Sequence, residues 1–132
     1  MSAFDLRVVK AAASDGRVEL GGRKFKEKLL PYLGTYVEMY AFTKAVLLEL
    51  KPGDYMKSTS YGDCVCDEYG IAITAETQER FSVEGLETWY VKFTLEERED
   101  GQVVLMASLH EPEWPLARVG GTLSIRFERR TR

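Results

Sequence analysis

The stretch TYVEMYAFTKAVLLELKP, residues 35–52, decides the fold because it is predicted to form one long helix over about residues 36–51. Thr35 and Glu38 have the spacing of a capping box, in which a hydroxyl and a carboxylate satisfy backbone amides at a helix start. Pro52 ends the helix because proline cannot continue its hydrogen-bond ladder. Apolar residues occupy most of the helix circumference, so we expect the rest of the chain to wrap around it.

The composition is that of an ordinary globular domain. The chain has 132 residues, of which 45% are hydrophobic and 30% are charged, and this length fits a single domain over residues 1–132 with its own core. No apolar run approaches the roughly 20 residues that a bilayer span requires. The N-terminus, MSAFDLRVVK, lacks the basic-then-apolar layout of a signal peptide. We therefore expect a cytoplasmic protein without a membrane segment.

The charge of the chain argues against nucleic acid as the main partner. The formal net charge is −3 and the sequence pI is about 5.3, whereas proteins that bind a duplex concentrate positive charge on one face. The C-terminal sequence RFERRTR contains four arginines, Arg126, Arg129, Arg130 and Arg132. We interpret it as a solvated chain end, because a final strand would point these side chains to both faces.

The remainder of the chain is predicted to be mostly β structure. The clearest element is a hairpin, in which residues 88–96 and 103–109 alternate between apolar and polar positions on either side of a charged turn. Residues 25–30 are predicted to form a short helix, and residues 54–69 a long loop with short strands near Met56 and Cys64. Further strands are predicted where the same alternation recurs, at residues 4–11, 17–20, 71–76, 78–83 and 122–127.

These elements predict an α+β fold, with a curved antiparallel sheet of five to seven strands wrapped on one central helix. A small closed β-barrel is the alternative. The order of the elements is similar to that of the hotdog fold of acyl-thioester enzymes and of the cystatin-like roll, although no family motif accompanies this similarity. The residues predicted to be buried are Met39, Val46, Leu47, Leu50, Trp89, Val91, Phe93, Val103, Leu105, Leu123, Ile125 and Phe127.

The two cysteines, Cys64 and Cys66, do not have the pattern of a metal site. One residue separates them, whereas a zinc site uses four ligands and usually places two residues between paired cysteines. Alternation along a strand would put both thiols on one side, which suits plain burial. The sequence therefore predicts no metal and no cofactor.

His110 is the most chemically suggestive residue. It ends a predicted strand beside two carboxylates in the loop that follows, where a general base could lie. In hotdog enzymes a helix carboxylate can be catalytic, so Glu38 or Glu49 with His110 is the most specific form of an enzyme hypothesis. A surface histidine at a strand end is the simpler interpretation.

Aromatic and acidic residues in two predicted loops have the composition of a protein-binding surface. The candidate partner-binding residues are Tyr61, Asp63, Asp67, Glu68, Tyr69 and Trp114. They favour a non-enzymatic protein-interaction domain, most concretely an inhibitor or immunity-type protein that binds and blocks a partner protein. The alternative is a hotdog-like acyl-thioester enzyme or small-ligand-binding protein with a pocket between helix and sheet. A homodimer formed through an exposed strand edge is a third hypothesis.

Overall fold

A computed structural model describes residues 1–125 and has an α+β fold with one open, mixed, five-stranded sheet. The helices are α1 (Leu6–Ser14), α2 (Arg23–Leu29), α3 (Tyr36–Glu49) and α4 (Ala75–Arg80), with a 3-10 turn at Pro52–Asp54. The strands are β1 (Val18–Glu19), β2 (Tyr55–Tyr61), β3 (Cys64–Ala72), β4 (Thr88–Arg98) and β5 (Gly101–His110). Within residues 1–125, none of the helices has both the length and the apolar character that a membrane crossing requires.

The strand order in the sheet is β1-β5-β4-β3-β2. Strands β2 to β5 form an antiparallel meander, whereas β1 pairs with β5 in parallel. The sheet is therefore mixed rather than antiparallel throughout. Its two outer strands, β1 and β2, do not pair with each other, so the closed barrel is wrong.

The helix α3 confirms the prediction from residues 35–52. The hydroxyl of Thr35 accepts a hydrogen bond from the Glu38 amide at 3.1 Å and donates one to the Glu38 carboxylate at 3.0 Å. One side of the helix is buried, but Val37 is 75% exposed and Leu48 is 38% exposed on the other side. The helix side chains in the core are Met39, Phe42, Val46 and Leu47.

Strands β4 and β5 confirm the predicted hairpin, but a bulge changes which side chains of β5 reach the core. The register shifts after Lys92, and Ala107 is left without a partner residue on β4. An extra residue reverses the alternation along a strand. The β5 residues in the main core cluster are consequently Val104, Met106 and Leu109.

Most of the predicted core is confirmed, and the exceptions lie late in the chain. Leu105, Leu123 and Ile125 are half-buried, and Phe127 lies outside the described residues. The predicted residues that are buried are Met39, Val46, Leu47, Leu50, Trp89, Val91, Phe93 and Val103.

Two predicted strands are helices. Residues 4–11 contribute to α1, whose start is capped by the Asp5 carboxylate and whose buried Val9, Ala12 and Ala13 follow helical spacing. Residues 78–83 overlap α4, which begins after Thr74, a residue that caps the Thr77 amide. In both segments a local cap and burial on one helical face prevailed over a short apolar–polar alternation.

Two other predictions also need correction. Residues 54–69 are not a long loop, because β2 and β3 pair as a hairpin with Tyr61 opposite Cys64. The predicted strand at 122–127 is present only as a bridge between Leu123 and Leu116 within the described residues. Residues 126–132, which include the arginines of FERRTR, lie outside them.

Candidate functional site

The candidate site lies under residues 111–121, which we call the crossing loop. This segment leaves β5 and returns to the chain at the start of β2, where the Val119 amide donates to the Tyr55 carbonyl at 2.9 Å. The Gly120 amide donates to the Gly53 carbonyl at 2.7 Å. These backbone hydrogen bonds fix the far end of the crossing loop to the sheet.

Arg118 anchors the same loop through a buried ion pair. Its guanidinium lies 2.7 Å from the Asp54 carboxylate, and the two side chains are 15% and 11% exposed. It also donates to the carbonyl oxygens of Gly70, at 3.2 Å, and Gly121, at 2.8 Å. The donors of the guanidinium thus connect the loop, the 3-10 turn and β3, as a planar fork of donors allows.

Two glycines let the crossing loop approach the sheet closely. A Cβ atom on Gly70 would lie 2.8 Å from the Leu116 side chain, and one on Gly120 would lie 2.8 Å from the Gly53 carbonyl oxygen. Both distances are shorter than van der Waals contact, so a side chain at either position would push the loop away.

A groove of about 480 Å³ lies between the crossing loop and the outer face of the sheet. We call it the outer-face groove. It is on the opposite side from α3, because Trp89 and Val91 point into the core and Tyr90, between them, points outward. The polar and aromatic residues that line it are Lys28, Lys57, Glu68, Tyr90, His110, Glu113 and Trp114.

Glu68, Tyr90 and His110 form a connected cluster in the groove. The Tyr90 hydroxyl donates to the Glu68 carboxylate at 2.5 Å, and the Thr59 hydroxyl donates to the other carboxylate oxygen. Burial, together with the hydrogen bond to Glu68, raises the pKa of the Tyr90 phenol well above its usual range. Tyr90 therefore stays protonated and acts as a donor near neutral pH.

The His110 ring packs beside the Tyr90 ring, with 5.2 Å between the centroids. Its Nδ1 lies 2.8 Å from the backbone carbonyl oxygen of Glu111. Since a carbonyl oxygen only accepts, Nδ1 carries the proton. A neutral His110 therefore has its acceptor at Nε2.

The structure separates the six predicted partner-binding residues into two groups. Tyr61 is 52% exposed, Trp114 is 73% exposed and Asp63 lies exposed in the turn between β2 and β3. The other three are buried inside the domain. Their exposed fractions are 0% for Asp67, 5% for Glu68 and 2% for Tyr69.

The buried residues have structural contacts within the domain. The Asp67 carboxylate accepts hydrogen bonds from the amides of Ala3, at 2.9 Å, and Phe4, at 3.0 Å. Tyr69 stacks on Phe93 with 5.6 Å between the ring centroids, and burial raises its pKa to about 12.

Glu38 and Glu49 do not line the outer-face groove. Glu38 binds the Thr35 hydroxyl at the start of α3, and Glu49 accepts a hydrogen bond at 2.9 Å from the Thr74 amide at the start of α4. The carboxylates that share the groove with His110 are Glu68 and Glu113 instead.

The two cysteines occupy one end of β3, where Cys64 is exposed and Cys66 is buried. Burial raises the pKa of the Cys66 thiol. Within residues 1–125, no three histidine, cysteine or acidic side chains are grouped as they would be to hold a metal ion.

Sequence reasoning missed Arg118 and the lysines of the groove, because no local pattern brings residues from α2, β2 and the crossing loop together. Tyr90 did carry a signal, since it is the one large ring among the polar positions of β4.

The chain matches no protein-family model, and no curated protein sequence is significantly similar to it.

Proposed function

We propose that the chain is a non-enzymatic protein-interaction domain that binds and blocks a partner protein, as an inhibitor or immunity-type protein does. The observation that carries this proposal is the 73% exposure of Trp114 on a loop that an ion pair and backbone hydrogen bonds hold in place. A tryptophan in a fixed position loses little entropy on binding and is a frequent energetic centre of protein interfaces.

The proposed interface extends along the outer face of the sheet from Trp114 toward Tyr61. Lys57, Thr59 and Tyr61 alternate onto this face of β2, over roughly 13 Å for four residues of strand. The Lys92 ammonium lies 4.9 Å from the centre of the Tyr61 ring and holds it against the sheet. Tyr61 is thus the second anchor of the proposal.

Of the acidic residues, Asp63 is exposed and would attract a basic partner directly. The buried carboxylates would instead hold neighbouring residues of the interface in position. Glu68 positions Tyr90 in the groove, and Asp67 holds the N-terminal segment. Tyr69 supports the interface from the core. In this proposal, replacing Tyr69 lowers stability rather than removing a contact with the partner.

The experiment is affinity purification of the tagged chain from its native cell extract, followed by mass spectrometry and native mass of the complex. We expect one stoichiometric protein partner, and we expect Trp114→Ala to reduce its recovery at least roughly tenfold, as an interface centre does. Val119→Ala is the matched control, because Val119 lies on the same loop and is also 73% exposed. Undiminished recovery by a Trp114→Ala, Tyr61→Ala double variant would contradict the proposed interface.

The second candidate is a small-ligand-binding or acyl-thioester function, and the Glu68–Tyr90–His110 cluster is the observation that favours it. A ligand in the groove would meet aromatic rings, the Tyr90–Glu68 pair and two lysines. A screen of acyl-thioester and aromatic carboxylate compounds by tryptophan fluorescence tests it. Binding or turnover that His110→Ala removes would support this candidate, and the same response from parent chain and variant would exclude His110 from it.

A further inference from the structure

The pairing between β3 and β4 stops before the strands themselves end. Asp67 opposite Phe93 is the last pair, but β3 begins at Cys64 and β4 continues to Arg98. The first three residues of β3, Cys64 to Cys66, pair with β2 but not with β4. The two strands therefore diverge and leave between them a cavity of about 650 Å³, which we call the fork.

The walls of the fork are apolar and fixed in position. Phe4, Val65, Leu95 and Leu105 line it and are only partly buried. Phe4 and Leu95 pack against the core cluster, and the Asp67 carboxylate holds the backbone of Phe4 through its amide at 3.0 Å and the amide before it at 2.9 Å. The apolar surface is consequently present before any partner arrives.

The rim of the fork is acidic. Asp63, Glu96 and Glu97 are exposed around it. Arg98 pairs with Glu96 at 2.6 Å, but Asp63 and Glu97 make no ion pair with any residue of the range 1–125. Two carboxylates at the mouth of an apolar cavity are thus available to a cation.

The charge of the surrounding domain has the same sign. The seven residues after Ile125 contain four arginines and one glutamate and have a formal charge of +3. Because the whole chain has a net charge of −3, residues 1–125 have a formal charge of −6. This field attracts basic segments and repels acidic ones.

We propose that the fork receives an arginine or lysine side chain from an extended basic segment of the partner protein. Such a side chain combines an apolar stem, which packs against Phe4 and Leu95, with a cationic head that faces Asp63 and Glu97. An extended segment suits the site because β3 and β4 do not pair with each other there, and a strand can add to free strand edges. This inference rests on the proposed protein-binding function and specifies the partner's chemistry.

The test is a titration of the full ¹⁵N-labelled chain, followed by NMR, with the peptide acetyl-TVRVT-amide and with acetyl-TVEVT-amide. We expect the arginine peptide to shift the amide resonances of Val65 and Leu95 saturably, and the glutamate peptide to have no such effect. An Asp63→Asn, Glu97→Gln double variant should weaken binding roughly fivefold, as expected for the loss of two exposed ion pairs.

The matched control is a Glu79→Gln, Glu84→Gln double variant, since both carboxylates are exposed on or just after α4 and do not line the fork. It should bind the arginine peptide as the parent chain does. Equal binding of both peptides, shifts confined to the outer-face groove, or full affinity of the Asp63→Asn, Glu97→Gln variant would overturn the inference.

Failure of the fork is distinguishable from failure of the proposed function. If the arginine peptide leaves the fork unperturbed while Trp114→Ala still removes the partner, the inference about the fork is wrong and the protein-binding proposal stands. If the peptide binds in the fork but no partner depends on Trp114, the outer-face groove is not the interface.

Discussion

At Leu47 and Leu48, neighbouring leucines of α3 have opposite environments. Leu47 is fully buried in the core, whereas Leu48 is 38% exposed. Truncating a buried leucine removes its transfer free energy and leaves a cavity. The same truncation at an exposed position removes little buried surface. Because the two leucines are neighbours in one helix, the difference between their variants measures the effect of burial.

Leu47→Ala should lower the free energy of unfolding by about 2–5 kcal/mol, because its cavity is lined by core side chains. Leu48→Ala should lower it by less than about 1 kcal/mol. Urea unfolding of both variants measures the difference. Similar values for the two leucines would mean that this side of α3 does not form the core.

Tyr69 should make the folded chain less stable as the pH becomes alkaline. Burial raises its pKa from 10.0 to about 12. Below pH 10 the phenol is protonated in both the folded and the unfolded state, so its ionisation does not affect the free energy of unfolding. As pH rises from about 10 to about 12, the unfolded state loses this proton first, so the free energy of unfolding falls.

Tyr69→Phe should therefore flatten the fall in stability between about pH 10 and pH 12, although the variant also loses the hydroxyl contacts at every pH. Urea unfolding at several pH values measures the slope. Tyr36→Phe is the control, because Tyr36 is 53% exposed. An unchanged slope in Tyr69→Phe would show that Tyr69 does not resist ionisation in the folded state.

At the scale of elements, the crossing loop is attached by a buried ion pair, by backbone hydrogen bonds and by a few buried apolar side chains. Within residues 111–125 its buried apolar residues are Pro112 and Leu116. Arg118 and the backbone hydrogen bonds to Gly53 and Tyr55 provide the other attachments. The loop carries Trp114, so its attachment also determines how the outer-face groove is presented.

Arg118→Met should lower the free energy of unfolding by roughly 3 kcal/mol, since it leaves the buried Asp54 carboxylate without its cation. It should also change the tryptophan emission of the folded chain, because Trp114 lies on the same loop. Thermal unfolding and emission spectra measure the two effects. Arg7→Met is the control, because the Arg7–Asp5 pair lies on the surface, with side chains 92% and 46% exposed, and should leave both unchanged. Equal behaviour of the two variants would mean that the Arg118 pair does not hold the loop.

For the whole molecule, the relevant quantity is the unequal distribution of charge. Residues 1–125 are strongly acidic and the last seven residues are basic. If the partner is basic, as the fork implies, long-range attraction accelerates the encounter while short-range contacts determine the lifetime of the complex.

The association rate with the purified partner should therefore fall roughly tenfold from low to physiological ionic strength, and the dissociation rate should change much less. Stopped-flow measurements across a salt series separate the two rates. An association rate that does not respond to salt would contradict electrostatic steering and would weaken the case for a basic partner.

The sequence by itself determined the helix α3, the short helix α2 and the β4–β5 hairpin, because their caps, turn residues and periodicity are local. It also determined most of the core that these elements bury. It did not determine α1 or α4, where short apolar patterns fit strand and helix about equally well. Tertiary packing decided between the two.

Only the tertiary structure decided the site. The bulge at Ala107 reversed the faces of β5, and pairing turned a presumed loop into β2 and β3, which buried Asp67, Glu68 and Tyr69. Acidic and aromatic residues in a predicted loop indicate a binding surface. Whether their side chains are exposed depends on which strands pair and on which segments pack over those strands. Those contacts join residues far apart in the chain, and so no local pattern could record them.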